Sequence, residues 1–542
     1  MTIANEADKS ILHLPEDVLV EIFFLAQDPW EDPWYRLLWV CRRWSTVGRR
    51  APILWREIEI RERPNVGLIG TSLQNSTTIP IDVKFSETVD LAGSMALLAP
   101  HIGRLRRLHL SGIKNTTDDA IHRLLAETLL PSKSSSSYLL LFVWTPRVEQ
   151  FPNLRSLTLG RAVSIQGPMP VFQTLRKLEL HDFLRAPFTL PEFASFLLEH
   201  PHLEELSVRK YRPTLKSVPA PLALPATLRK FSLEDNAHYA KPFLSSFYIP
   251  PTVDVTLIRA LDYMDHGDLG PNLGQIHLDV KSAMSATRLI PDDRSLLPIL
   301  SLVNSVTLRR EYESLHSIIG TTPSGNVVDL SGRAYDDAEK DLLDALRLLR
   351  DIVIIFSGAP IVELCIKSHG SSRMEEEDWA LALNALPTLE RLSVLGTGGG
   401  EWDARYTLLD ALQYTPRKKT RGKNKRIGGS GRVPALWPQL KSLTFVSNAW
   451  KMEDEELAEA LETCLKNRME RGSRLEELRL ILKYIRRPDD WGIDENSDAL
   501  DEEGTLDEQN SLDEENAQRR DIYSLRLQPA VGHLQLEFVN DW

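Results

Sequence analysis

The groups that could carry chemistry in this 542-residue chain are three cysteines, thirteen histidines and one glycine-rich stretch at residues 396–400. An enzyme that uses a nucleophile or zinc needs such groups at set spacings, because base, nucleophile and ligands must converge. The histidines show no ligand spacing, and Cys41, Cys365 and Cys464 form no CxxC pair. The glycine-rich stretch lacks the lysine that would neutralise a bound phosphate, which favours a plain turn. We therefore expect neither catalytic residues nor a cofactor or metal.

Composition and charge exclude further classes of function. Hydrophobic residues make up 42% of the chain and charged residues 26%, which is typical of folded proteins. The net charge is −12, but residues 489–518 hold 13 acids and no base, so the remainder is nearly neutral and has no footprint for nucleic acid. The longest apolar run, Tyr138–Trp144, is too short for a membrane helix, and residues 1–10 lack a secretory pattern. We expect a cytoplasmic and/or nuclear protein that binds neither nucleic acid nor membrane.

Residues 11–60 contain short helical patterns that are separated by a turn rich in proline and tryptophan. In the first pattern, apolar residues follow helical spacing after Pro15, which is tolerated in a first helical turn. A second apolar run, at residues 35–41, leads into Arg-Arg-Trp at 42–44, and Pro52 ends the next helical pattern. Three short helices bury little surface by themselves, so we expect this region to pack against a neighbour or a partner protein.

Three ordered motifs in this region resemble an F-box. They are LPEDVLVEIF at residues 14–23, VCRRW at residues 40–44 and LWR at residues 54–56. The resemblance implies a three-helix module, residues 10–54, that binds a Skp-type adaptor and, through it, the cullin and RING subunits of an SCF-type ubiquitin ligase. Four residues are the expected adaptor contacts: Leu14, Pro15, Ile22 and Trp44. Five others are expected to pack mainly inside the module: Val18, Leu19, Phe23, Val40 and Cys41.

From residue 105 onward the pattern Leu-x-x-Leu-x-Leu recurs with conservative substitutions. Its copies begin at residues 105, 154, 175, 203, 228, 273, 303, 361, 389, 440 and 475. Several neighbouring copies begin 21–28 residues apart, a spacing close to that of leucine-rich repeats. Alternation within each copy predicts a short strand with buried leucines, and helical patterns occupy residues 191–200 and 452–471. The sequence therefore predicts an irregular α/β solenoid over residues 55–542, a leucine-rich-repeat horseshoe with a parallel concave sheet and helices outside.

Smaller features complete the prediction. Residues 55–60 alternate like a first strand, and residues 533–538 like a last one. A loop at residues 416–434 carries seven bases within residues 417–426, which fits either a solvated loop or an import signal. The acidic stretch at residues 489–520 is predicted to be a disordered insertion.

The whole chain is similar to the expanded F-box families of fungi. This resemblance implies a non-catalytic substrate receptor in ubiquitin-dependent degradation, whose F-box binds the adaptor and whose repeats bind a target that the sequence does not identify. The alternative is a repeat scaffold outside the ligase whose F-box-like element joins another assembly. Bases and acids nearly balance on the predicted concave face, so we do not predict a phosphopeptide reader; they are Arg107, Lys177, Arg209 and Lys230 against Glu179, Glu205 and Glu234.

Overall fold

The computed structural model divides the chain into two units, Met1–Leu233 and Glu234–Trp542. This division does not coincide with the predicted boundary at residue 54 between the adaptor-binding module and the repeat region. That boundary separates two binding roles, and it stays a prediction. The structure describes residues 14–26, 34–61, 65–86, 96–111, 142–144, 148–160, 163–165, 171–182, 189–211, 221–259, 285–311, 315–333, 345–368, 379, 384–396, 404–413, 437, 439–449, 454–484 and 505–540. The basic loop at residues 416–434 lies outside the described residues.

The first unit begins with short helices and continues into a parallel sheet. Its helices are α1 (Glu16–Leu25), α2 (Arg42–Arg50), α3 (Val66–Asn75) and α4 (Leu190–Leu198), with short 3-10 helices at Trp34–Trp39, Pro52–Trp55, Ala99–Arg104 and Val148–Gln150. Its strands are β1 (Glu57–Ile60), β2 (Ile81–Ser86), β3 (Leu105–Ser111), β4 (Phe142–Trp144), β5 (Ser156–Leu159), β6 (Val163–Ile165), β7 (Lys177–His181), β8 (Glu205–Arg209), β9 (Leu222–Ala223) and β10 (Lys230–Asp235), the last of which spans the division. The sheet has the order β1-β2-β3-β5-β7-β8, and each of these neighbouring pairs is parallel.

The second unit also combines helices with a mostly parallel sheet. Its helices are α5 (Ala237–Leu244), α6 (Ala345–Ile355), α7 (Ala404–Gln413), α8 (Asp454–Glu470) and α9 (Thr505–Leu527), with 3-10 helices at Ala286–Leu289, Arg294–Leu296, Pro298–Leu302 and Gln528–Ala530. Its strands are β11 (Phe247–Tyr248), β12 (Asp254–Arg259), β13 (Ser305–Glu311), β14 (Leu315–Thr321), β15 (Val327–Arg333), β16 (Glu363–Ser368), β17 (Arg391–Gly396), β18 (Ser442–Ala449), β19 (Leu475–Tyr484) and β20 (Val531–Asn540). Nine of them form the order β12-β15-β14-β13-β16-β17-β18-β19-β20.

The recurring leucine pattern accounts for half of these strands. Ten of its eleven copies fall on described residues, and each of the ten contributes a strand; the copy at residue 273 lies outside them. The second leucines of successive copies are register partners, as in the row Leu108, Leu157, Leu178 and Leu206. All four side chains are buried, and burying a leucine stabilises the fold by about 1.5–3 kcal/mol. The predicted α/β class with a large, mostly parallel sheet is confirmed.

The helices predicted between the strands are also present. The pattern at residues 191–200 forms α4, where Glu192 accepts a hydrogen bond from the Thr189 backbone N–H at 2.7 Å and so caps the helix. The pattern at residues 452–471 forms α8, whose buried side chains Leu457 and Leu461 are one turn apart. Gly472 follows α8 with a φ of +78°, a conformation that glycine adopts without strain.

The prediction of an all-parallel sheet is wrong at one place. Strand β14 runs antiparallel to both of its neighbours, β13 and β15. The connection from β14 to β15 is only five residues long, with Gly325 at a φ of +88°. Parallel strands need a crossover of a dozen or more residues, so such a short turn forces an antiparallel pair. The leucine pattern does not reveal this strand, because residues 315–333 carry no copy of it.

The predicted disorder of residues 489–520 is wrong for residues 505–520, which belong to helix α9. The C-terminal part of this helix carries Tyr523 and Leu527, and both side chains are fully buried. The Tyr523 ring lies 6.3 Å from the ring of Phe538 in β20. The acidic N-terminal part of this helix offers little to an apolar core. The packing of the C-terminal part therefore stabilises the helix. Residues 489–504 lie outside the described residues.

Candidate functional site

The N-terminal helices of the first unit form a small bundle with its own apolar core. Two α-helices, α1 and α2, and the 3-10 helices Trp34–Trp39 and Pro52–Trp55 stand in place of the three helices that the sequence predicts. The six core residues are Leu19, Phe23, Leu38, Val47, Leu54 and Trp55.

Aromatic contacts and one close approach determine how this bundle packs. The rings of Phe23 and Trp44 meet edge to face with their centroids 5.2 Å apart. The indole N–H of Trp55 donates to the Gly48 carbonyl at 2.8 Å, so α2 and the second 3-10 helix are joined by a buried hydrogen bond. A Cβ at Gly48 would overlap with Cδ2 of Leu38, and this close approach explains the glycine in the second half of α2.

Helix α1 has apolar side chains on two sides. Leu19 and Phe23 point into the core and are fully buried. Val18, Ile22 and Leu25 are exposed by 39%, 38% and 75%, and the spacing i, i+4, i+7 puts them on one side of the helix. Pro15, which is exposed and three residues before Val18, continues the same side. We call Pro15, Val18, Ile22 and Leu25 the α1 stripe.

The four predicted adaptor contacts have different surroundings. Pro15 and Ile22 belong to the α1 stripe and are exposed. Leu14 is half-buried and packs against the core, and its carbonyl accepts a hydrogen bond from Arg43. Trp44 is also half-buried and contacts Phe23, so its ring supports the core. The structure therefore brings Pro15 and Ile22 together on one surface and places Leu14 and Trp44 at the edge of the core.

Three residues expected to pack inside the module are not among its fully buried core residues. Val18 is on the α1 stripe, because its helical position is well away from that of Leu19 and Phe23. Val40 is 61% exposed and follows Trp39, which is 76% exposed, in the turn before α2. Cys41 is half-buried, and its sulfur accepts the Trp44 backbone N–H at 3.5 Å as the N-cap of α2. Val40 lies between two helices, so helical periodicity offers no signal for the direction of its side chain.

The sheet of the first unit provides a second surface, which is polar. Between the buried leucines, alternate residues point to the other side, and His109, Thr158, Glu179 and Ser207 are register partners along one row. Thr158 donates to a Glu179 carboxylate oxygen at 2.9 Å. Burial, with Lys84 nearby, lowers the pKa of His109 below its ordinary value, which favours its neutral form.

The charged residues of this polar face are paired with one another. The Lys177 ammonium lies 2.8 Å from the Glu179 carboxylate and 3.5 Å from that of Glu205. Lys230 is 3.8 Å from Glu205, and His181 is 3.5 Å from Glu179. The near balance of charge on the predicted concave face agrees with this pairing, because these bases already have acidic partners.

The strongest electrostatic perturbation on this face is at Glu179. The neighbouring His181, followed by Lys177 and Thr158, lowers the pKa of Glu179 from its ordinary 4.5 to about 2, although burial opposes the shift. A depressed carboxyl pKa stabilises the folded state above the unfolded pKa and loses that effect as pH falls through the folded pKa. This contribution is therefore complete above about pH 5 and decreases toward pH 2.

We expect Glu179→Gln to lower the free energy of unfolding of the first unit at pH 7 by about 2–3 kcal/mol, a range that already allows for solvent screening. The difference from the wild type should shrink to less than half by about pH 3, because the unfolded carboxyl is then protonated. Denaturation midpoints of both proteins, measured by circular dichroism at pH 7 and at pH 3, test this. A difference that is the same at both pH values would show that Glu179 acts through packing alone.

Two kinds of site are not found among the residues that the structure describes. No group of three or more histidine, cysteine, aspartate or glutamate side chains there is arranged to hold a metal ion. None of the described helices is both long and apolar enough to cross a membrane. Comparison with known proteins adds no relative, since the chain matches no family model and no curated protein.

Proposed function

We propose that this protein is a substrate receptor of an SCF-type ubiquitin ligase, in which the N-terminal bundle binds a Skp-type adaptor. The observation that carries the proposal is the α1 stripe. The bundle has a complete core of its own, so Val18, Ile22 and Leu25 are not needed to hold it together. Apolar side chains left exposed side by side on so small a bundle are typical of a surface that another protein covers.

The energy available from such a surface is sufficient for specific binding. Truncating a central apolar contact residue of an interface costs about 1–4 kcal/mol, and a few such residues supply most of the affinity. The exposed side chains of Trp39 and Val40 add apolar area to the same bundle. The proposed target surface is the polar face of the parallel sheet, where hydrogen-bonding and charged groups alternate with buried leucines. Polar groups of this kind support specificity more than affinity.

Co-purification from a native lysate tests the proposal against its alternative. The full-length protein, carrying an affinity tag at its C-terminus, is expected to bring down the Skp-type adaptor and the cullin, identified by mass spectrometry. A protein with Ile22→Glu serves as the matched negative control, since it should keep the fold and lose both subunits. Recovery of an unrelated assembly without adaptor or cullin would favour the non-ligase scaffold instead.

We expect the double substitution Leu14→Ala, Pro15→Ala to weaken adaptor binding by about 1–4 kcal/mol while leaving most of the fold intact. Pro15 is on the α1 stripe, and the hydrogen bond from Arg43 to residue 14 uses a backbone carbonyl that alanine retains. Adaptor affinity by calorimetry and the thermal midpoint of the variant are the two measurements. Unchanged affinity in a well-folded double variant would remove both residues from the interface.

The substitution Trp44→Ala tests whether Trp44 supports the bundle core or contacts the adaptor directly. Because the indole packs on Phe23, its loss should lower the stability of the bundle as well as adaptor binding. A variant with lowered affinity and unchanged stability would instead make Trp44 a direct contact residue.

A further inference from the structure

An open cavity of about 340 Å³ lies in the first unit, next to the 3-10 helix Pro52–Trp55 of the bundle. Its walls are apolar except for two guanidinium groups, and its lining residues are Pro52, Ile53, Arg56, Ile79, Pro80 and Arg106. Prolines have no backbone N–H to offer a ligand, so the arginines are the polar groups that decide what fits. The volume is at the lower end of the range for small ligands and suits one or two side chains.

The charges around the cavity do not cancel. The carboxylate of Asp82 is buried, and Arg106 donates to both of its oxygens, one of these hydrogen bonds being 2.9 Å long. Arg56 and Arg107 approach the same carboxylate at 3.6 and 3.7 Å, which is too far for a hydrogen bond. The exposed Glu57, whose register partner is Asp82, adds a second acid. Among the described residues named here, three guanidinium groups and two carboxylates leave one positive charge in excess.

The state of Arg56 indicates where an added anion would bind. Its Nε is buried and has no hydrogen-bond partner among the described residues, while its side chain lines the cavity. Asp82 does not satisfy this donor, because its nearer oxygen lies 3.6 Å from the Nε and already accepts from Arg106. The Asp82 carboxylate is therefore paired mainly with Arg106, and the Arg56 guanidinium, which lines the cavity, keeps a positive charge that an incoming carboxylate would neutralise.

We propose that this cavity binds a peptide segment of a partner protein in which an apolar side chain is followed by a carboxylate. The apolar side chain fills the space between the two prolines and two isoleucines, and the carboxylate pairs with Arg56. Of the residues that form the apolar surface of the bundle, only Ile53 lines the cavity, and none of the α1 stripe does. The cavity and the α1 stripe thus share no residue, and the proposal does not depend on adaptor binding.

Fluorescein-labelled, amidated peptides with the central pairs Leu-Glu, Leu-Gln and Ser-Glu between glycines are the probes. Fluorescence anisotropy with the full-length protein should show that the Leu-Glu peptide binds at least about tenfold more tightly than either of the others. Its affinity should fall with rising salt, because part of it comes from an ion pair near the surface. Equal affinity for Leu-Glu and Leu-Gln, or no binding of Leu-Glu up to about 5 mM, would overturn the proposal.

Two variants and one control locate the binding site. Arg56→Gln should lose about tenfold in affinity for Leu-Glu, a difference of about 1.4 kcal/mol, and leave Leu-Gln unaffected. Ile79→Trp should block the cavity without removing a charge, so it tests the site even if Arg56→Gln fails to fold. Arg49→Gln, at an exposed arginine near the end of α2, is the matched control and should bind like the wild type. If both cavity variants fold and bind Leu-Glu like the control, the peptide binds elsewhere and the assignment is wrong.

Adaptor affinity measured on the same proteins keeps the two proposals apart. The cavity variants should bind the adaptor within about twofold of the wild type, because truncation outside an interface core has little effect. Failure of peptide binding with normal adaptor binding would refute the cavity alone. Normal peptide binding without adaptor binding would refute the ligase proposal alone.

Discussion

Phe23→Ala is expected to destabilise the N-terminal bundle by about 3–5 kcal/mol, the usual cost of removing a buried phenylalanine. The Phe23 side chain is fully buried and packs against Trp44, and Gly48 lies close to it on the neighbouring helix. Because so small a bundle has few other core residues, a loss of this size is a large share of its stability. Hydrogen exchange by mass spectrometry should show faster exchange in α1 and α2, with the strands of the second unit unchanged.

Leu25→Ala is the matched control for this experiment. Leu25 is on the same helix but is 75% exposed, so its removal should change stability by no more than about 0.5 kcal/mol. Similar exchange in both variants would mean that the bundle does not depend on the core that Phe23 shares with Leu19, Leu38 and Val47.

Ile22→Glu is expected to abolish adaptor binding, with a loss of at least about 100-fold in affinity, and to leave the fold intact. The α1 stripe would then carry an unpaired carboxylate at its centre, and burying a charge without a partner is unfavourable. The bundle itself should tolerate the change, because Ile22 is 38% exposed and is not part of the core.

Phe24→Glu offers a closely matched control for Ile22→Glu. Phe24 is also 38% exposed and receives the same new charge, but it lies on a different side of α1 from the stripe. It should therefore bind the adaptor much like the wild type. Calorimetry with purified adaptor gives both affinities, and circular dichroism checks the folds. Equal losses in the two variants would show that any charge on α1 is disruptive and that the stripe has no special role.

The structure also changes how the bundle can be separated from the rest of the chain. A cut after residue 52 agrees with the sequence motifs, since it keeps the strand that begins near residue 55. However, Leu54 and Trp55 are buried in the bundle core, and Trp55 is hydrogen-bonded to Gly48. Deleting residues 1–52 would expose both side chains, so point substitutions on the α1 stripe test the adaptor interface more cleanly than truncation does.

The strands and their spacing can be predicted from the sequence because the signal is local and repeated. Each copy of the leucine pattern predicts which residues of a strand alternate between the buried and the exposed side. The buried row of register partners Leu364, Leu392, Leu443 and Leu478 agrees with this prediction. Helices α4 and α8 are equally clear, since their apolar residues recur with helical spacing. The core role of Leu19 and Phe23 is predicted by the same kind of pattern.

Features that depend on contacts between distant residues were decided only by the tertiary structure. Periodicity shows that α1 is apolar on more than one side, but it does not show which side meets the core, so the expected burial of Val18 is wrong. The acidic sequence of helix α9 predicts disorder, but in the structure the Tyr523 ring of this helix packs near Phe538 of β20. The cluster of Arg56 and Arg106 on Asp82 joins residues from three separate segments. A single sequence contains no local signal for such a cluster, because charge pairing depends on distances in space that strand pairing alone creates.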